Sequence, residues 1–177
     1  MISRTSKTNE LANYRLSIAP MMDCTDRHFR VLMRQITKKS LLYTEMVVAQ
    51  ALHYSKNRNK LLDFNEIEHP IAIQLGGDNP TLLAEAAQMA EDWDYDEINL
   101  NIGCPSPRVK SGNFGACLMG KPKIVANCIE KMKKSCKIPI TVKHRIGIDN
   151  LDTDDYLMEF VDNCSIAGAD RFIIHAR

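Results

Sequence analysis

Between residues 97 and 120 the chain reads EINLNIGCPSPRVKSGNFGACLMG, an apolar run followed by Asn101, the tripeptide Gly103-Cys104-Pro105 and three further glycines. A thiol in such a place can act as a small buried hydrophobe, or it can be presented for chemistry. Gly103 and Pro105 favour presentation, because a glycine and a proline on either side make a sharp, backbone-fixed turn at the end of the run. Other reactive side chains recur at equivalent places, each closing an apolar run: Asp23, Glu45, Gln74, Asn101 with Cys104, Lys143 with Arg145, and His175 with Arg177. Amides, cations and a thiol suit proton donation and the holding of an electron-rich ligand.

The runs that carry these residues read as strands: 15–20, 41–47, 71–77, 97–103, 138–145 and 171–177. They are rich in Ile, Leu and Val without strict alternation, as in parallel strands covered on both faces. Between them lie helical patterns over 25–39, 79–92, 121–135 and 152–167. Asn79 is placed as an N-cap, Pro80 at the first helical position, and Gly168 as a helix stop. Repeats of about thirty residues imply successive βα units. An open doubly wound sheet needs functional residues only beside its switch point, whereas a barrel gathers every strand end around one mouth. Reactive residues at almost every strand end therefore favour an α/β fold of the TIM (β/α)₈ type, with about six of eight strands present. A complete six-stranded open sheet is the alternative.

The 177 residues are 45% hydrophobic and 25% charged, a globular mixture. With a net charge of +1, a polyanionic partner must be held by a local patch. Residues 1–14 form a polar extension without a signal-like apolar block, and no membrane-length apolar run follows. That pattern reads as cytoplasmic, with the six cysteines reduced. None is spaced C-x-x-C, which argues against a metal site.

The motifs IAPMMDCTDRHFR, TEM, QLGG, INLNIGCPSPRVKSGNFGACLM, VKHRIG and IIHAR, in this order, resemble those of the tRNA-dihydrouridine synthases. The resemblance covers residues 15–177. LLYTEMV, YDEINLNIGCPS, FGACLMG and RIGIDN point to the tRNA-dihydrouridine(20/20a) synthase subgroup. It implies FMN-dependent, NADPH-driven reduction of uridine to 5,6-dihydrouridine in the D-loop of tRNA. Hydride would go to C6, and Cys104 would give a proton to C5.

A thiol of ordinary pKa, about 8.5, is protonated at neutral pH as that role requires, while a neighbouring cation would pull the other way. By the same resemblance Pro20, Met21, Met22, Gln74, Lys143 and His175 contact the flavin. Asn101 touches the base, and Arg145 and Arg177 bind its carbonyls or the tRNA backbone. Arg108 and Lys110 are candidates for tRNA phosphate, and the glycine-rich loop 105–120 for a lid or for helix packing with Cys117 buried. The resemblance also implies further strands that close the barrel and bind the FMN phosphate, and a C-terminal helical tRNA-binding domain, both absent here. The expectations are weak flavin retention and little activity for this chain alone, and a monomer in the full-length form. Two alternatives stay open: another FMN barrel reducing free pyrimidines, and a non-catalytic RNA-binding relic.

Overall fold

The computed structural model describes residues 14–176. Six strands, β1 (Ser17–Ile18), β2 (Leu41–Val48), β3 (Ile71–Gly76), β4 (Glu97–Ile102), β5 (Ile140–Arg145) and β6 (Arg171–His175), form one sheet. All neighbours are parallel and the spatial order is the chain order. A doubly wound sheet would reverse its order at a switch point. An unreversed parallel order with interleaved helices gives instead a curled, partial (β/α) barrel.

The helices are α1 (Arg27–Ile36), α2 (Ala49–Tyr54), α3 (Arg58–Leu62), α4 (Pro80–Asp92), α5 (Pro107–Ser111), α6 (Pro122–Ser135) and α7 (Asp154–Ile166). The expected caps are present. Asn79 Oδ1 accepts from the N–H groups of Thr81 and Leu82 at 2.9 and 3.2 Å. Gly168, at φ +101°, ends α7 in a conformation that favours glycine. Strand β1 is only two residues long, shorter than the run 15–20 suggested.

Two faces of the sheet are sharply different. Ile71, Ile73, Leu75, Ile98, Leu100, Ile102, Ile140 and Val142 face outward and form the main core with Leu83, Ala87 and Ala90 of α4, Val125 and Ile129 of α6 and Phe160 of α7. These helices pack side by side as an outer layer. The inner face carries Ala72, Gln74, Glu97, Asn99, Asn101, Thr141, Lys143 and Arg145, with a small apolar group of Leu41, Tyr43 and Ala72 at its foot. In β4 polar and apolar residues alternate strictly, and in β5 they do so up to Lys143, contrary to the expectation of unpatterned runs. The interior of this barrel is filled by polar side chains bonded to one another.

Candidate active site

The carboxyl ends of the strands surround a cleft of ≈ 1100 Å³. Its lining brings together Pro20, Met21, Met22, Gln74, Asn101, Cys104, Lys143, Arg145 and His175. Asp23 and Glu45 line it too. Of the residues singled out from the sequence, Arg177 and the side chains of Arg108 and Lys110 lie outside the described residues. The N-terminal extension lies outside them as well, apart from Tyr14.

One wall is the turn after β1. Thr25 shapes it: its hydroxyl accepts from the Met21 N–H at 3.0 Å and donates to the Met21 carbonyl at 3.1 Å. Asp23 takes φ +60°, and its N–H donates to Glu45 Oε1 on β2 at 2.5 Å. Glu45 thereby holds the turn that carries Met21 and Met22, both about half exposed to the cleft side. Another part of the wall is apolar, with Val109, Phe114 and Met46: a Cβ on Gly76 would come within 2.8 Å of Met46 Sδ and 3.1 Å of Phe114. A side chain at the end of β3 would require Met46 to shift.

Cys104 sits on a turn clamped from four directions. The N–H groups of Gly103 and Cys104 both donate to Asn101 Oδ1, at 3.1 and 3.0 Å. Arg145 Nε donates to the Gly103 carbonyl at 2.8 Å, and the Ala116 N–H donates to the Cys104 carbonyl at 2.9 Å. Gly115 makes that last approach possible, because it takes φ +73° and a Cβ there would lie 2.6 Å from the Cys104 carbonyl oxygen. The segment after the cysteine is thus built structure: α5, then a 3₁₀ helix over Gly115–Gly120 whose Ala116, Leu118 and Met119 are buried. Cys117 is half-buried, its thiol directed to the Phe114 carbonyl. Between a lid and helix packing, residues 115–120 take the second.

The floor holds two amides and two cations. Asn101 Nδ2 donates to Gln74 Oε1 at 2.8 Å. With both lone pairs of Oδ1 taken by the turn, Asn101 keeps one N–H and nothing else for a ligand. That is narrower than the donor-and-acceptor edge its type allows. Lys143 and Arg145 lie side by side with no carboxylate partner among the described residues. Burial, and then the neighbouring Arg145 charge, push the Lys143 ammonium below the usual lysine range. Two unpaired cations at the base of a largely apolar cleft favour a flat, electron-rich ligand over a neutral one. This donor set fits the pyrimidine side of a flavin, whose ring offers carbonyl oxygens and takes up negative charge on reduction. Gln74 and Lys143 would hold that edge, leaving the free Asn101 N–H for a second ligand.

The three buried cysteines are of a different kind. Burial pushes the thiols of Cys128 and Cys164 up to about 12 and that of Cys136 up to about 11, so these stay protonated and inert. All six cysteines are free. Among the described residues there is no cluster of three or more His, Cys, Asp or Glu able to hold a metal ion, and no helix long and apolar enough to cross a membrane.

Several residues of the site escaped the sequence reading: Val109 and Phe114 as wall, Glu45 as the holder of the first turn, and Asn99 beneath Gln74. The period-two spacing of Glu97, Asn99 and Asn101 was the available signal for the last.

Residues 17–177 match the family described as Dihydrouridine synthase (Dus). Similar curated proteins include a tRNA-dihydrouridine(20/20a) synthase of Synechocystis sp., 59% identical over 162 residues, covering 92% of this chain and 48% of that protein. Proteins of the same description are 53% identical in Vibrio parahaemolyticus (92% of this chain, 50% of the relative) and 50% identical in Salmonella typhi (97% and 52%). The chain spans about half the length of the curated relatives it matches.

Proposed function

Because the chain belongs to the dihydrouridine synthase family, we propose that its cleft serves the reduction of uridine in tRNA to 5,6-dihydrouridine, in the cytoplasm, with FMN as cofactor and NADPH as reductant. The observation that carries this reading is the clamped turn that holds Cys104 at the edge of a cleft whose floor offers N–H donors and unpaired cations. FMN, when bound there, supplies the hydride that no side chain can.

The chain's own residues account for the rest of the chemistry. Saturating the 5,6-double bond takes a hydride at C6 and a proton at C5. Cys104 gives the proton from its thiol, the protonated form being the competent one. Asn101, left with a single N–H, donates to a base carbonyl, which draws electron density away from C6 and prepares it for hydride. Lys143 and Arg145 offset the negative charge that gathers on the cofactor ring and the base carbonyls. Pro20, Met21 and Met22 supply an apolar wall for the flat ring, Gln74 its edge contact and His175 a further contact at the mouth. Arg177 extends the basic side of the site toward tRNA. A uridine of folded tRNA must be turned out of its stack to reach Cys104, because that residue lines a concave cleft. The whole enzyme is a monomer in this reading.

The test is Cys104→Ala, assayed with FMN, NADPH and tRNA lacking dihydrouridine, and read by mass spectrometry as the gain of two hydrogens per modified base. Base reduction falls by about 10²–10⁴-fold, the usual worth of a positioned general acid. Turnover equal to the parent in that variant would sink the assignment of Cys104. Efficient reduction of a free pyrimidine in place of tRNA would turn the reading toward another class of flavin barrel.

A further inference from the structure

The polar side chains inside the barrel form one continuous line, and every hydrogen bond along it runs the same way. Gly103 and Cys104 N–H donate to Asn101 Oδ1, and Asn101 Nδ2 donates to Gln74 Oε1. Gln74 Nε2 donates to Asn99 Oδ1 at 2.8 Å, Asn99 Nδ2 to Thr141 Oγ1 at 3.0 Å, and the Thr141 hydroxyl to Glu97 Oε1 at 2.7 Å. Gln74, Asn99 and Thr141 are register partners across β3, β4 and β5, which is why their short side chains meet.

The direction is imposed at both ends. At the mouth, backbone amides can only donate, so Asn101 must turn its oxygen to them. At the foot, Glu97 is a carboxylate only 2% exposed, paired with Arg171 and accepting from the Tyr43 hydroxyl at 3.1 Å. An ionised carboxylate only accepts. Between these fixed ends, turning over Asn101 or Gln74 would set N–H against N–H on one side and oxygen against oxygen on the other, and turning over Asn99 would set its N–H against that of Gln74 and draw the Thr141 proton away from Glu97. Each such mismatch strands a buried polar group. Aligned bonds in a dry interior also polarise one another, which makes Asn101 Oδ1 a better acceptor for the turn.

Asn99, Thr141 and Glu97 do not line the cleft, whereas Gln74 and Asn101 do. We propose that Asn99, backed by Thr141 and Glu97, is a positioning residue for the reduction, fixing which way the Gln74 and Asn101 amides face and through them holding the turn that presents Cys104. Its bearing on turnover rests on the reading of Cys104 as proton donor; its bearing on the turn does not.

The experiment is alkylation of the chain by iodoacetamide without flavin or tRNA, followed residue by residue by peptide mass spectrometry. Asn99→Leu keeps the volume and removes both bonds; Thr141→Val cuts the line lower down, and Thr141→Ser retains the hydroxyl while losing a methyl. Asn99→Leu and Thr141→Val speed the alkylation of Cys104 about tenfold, the equilibrium worth of one hydrogen bond. Cys128 and Cys164, fully buried, stay protected and report an intact fold. Thr141→Ser stays at the parent rate despite its weaker packing. An unchanged Cys104 rate in Asn99→Leu with Cys128 and Cys164 protected overturns the proposal. If Asn99→Leu unfolds, shown by all three cysteines reacting together, the Thr141 pair decides, and equal Cys104 rates in Val and Ser overturn it. Absence of tRNA reduction by the full-length enzyme would strike the reductase reading alone, since alkylation does not depend on it.

Discussion

The two ends of the barrel interior hold similar residue types and use them in opposite ways. At the foot, Glu97 takes Arg171, Tyr43 and Thr141 as donors. At the mouth, Lys143 and Arg145 stand together with no acid to pair them among the described residues, and Asn101 holds an N–H in reserve. The foot is satisfied within the protein; the mouth is satisfied only by something that enters it. Removing a partner at the foot should therefore cost stability, and removing one at the mouth should cost function instead.

The largest effect is expected at the foot. Glu97→Leu leaves the Arg171 guanidinium, the Tyr43 hydroxyl and the Thr141 hydroxyl without their common acceptor, and the Tyr43 phenol, already pushed far above its usual pKa by burial, cannot ionise to compensate. Loss of one partner from a fully buried ion pair costs about 3–5 kcal/mol, and with 26% of the Arg171 side chain exposed the loss here falls at or below the lower end of that range, to be read from urea unfolding midpoints. A midpoint equal to the parent would erase the distinction between the two ends.

At the mouth, Lys143→Met is the counterpart. It keeps the length of the side chain and removes a half-buried cation that burial and Arg145 already disfavour. Tolerance to urea holds or rises, while reduction of tRNA falls by about 10²–10³-fold, the usual cost of deleting one positioned electrostatic group. A variant that lost stability and kept its turnover would show Lys143 to be structural.

The same contrast explains what the sequence made legible. The barrel could be read because Gln74, Cys104, Lys143 and His175 close successive apolar runs, and a polar residue at a strand end has few structural reasons to be there. The foot was missed because Glu97, Asn99 and Thr141 lie within runs that read as uniformly apolar, although their period of two was visible in EINLN and ITVKHR. Helices α2 and α3 were not visible at all. At six and five residues they are too short for propensity to form them, and their buried residues Ala49, Leu52 and Leu62 are held by tertiary packing. Loop 105–120 looked mobile from its glycines, yet Gly115 is there to let the Ala116 N–H reach the Cys104 carbonyl.

The smallest effect tests the boundary between the two faces. His144 lies between Lys143 and Arg145 in β5 but faces outward, its ring centroid 5.2 Å from Phe160 and 5.9 Å from Phe172. Burial, with a smaller contribution from Lys143, pushes its pKa below the usual histidine value, against the hydrogen bond between Nδ1 and the Arg145 carbonyl. Below pH about 6.5 the unfolded chain takes up a proton that the folded chain resists, so stability is full above that pH and falls as pH drops toward the folded pKa. The slope from this one group cannot exceed about 1.4 kcal/mol per pH unit. His144→Asn retains a donor for the Arg145 carbonyl and removes the titration. Its stability should be lower at neutral pH, because the ring's packing is lost, yet flatter than the parent's between pH 6.5 and 5. Parallel pH profiles for the two would mean that His144 becomes charged within the fold, and that the outward face of β5 is as open to charge as the cleft behind it.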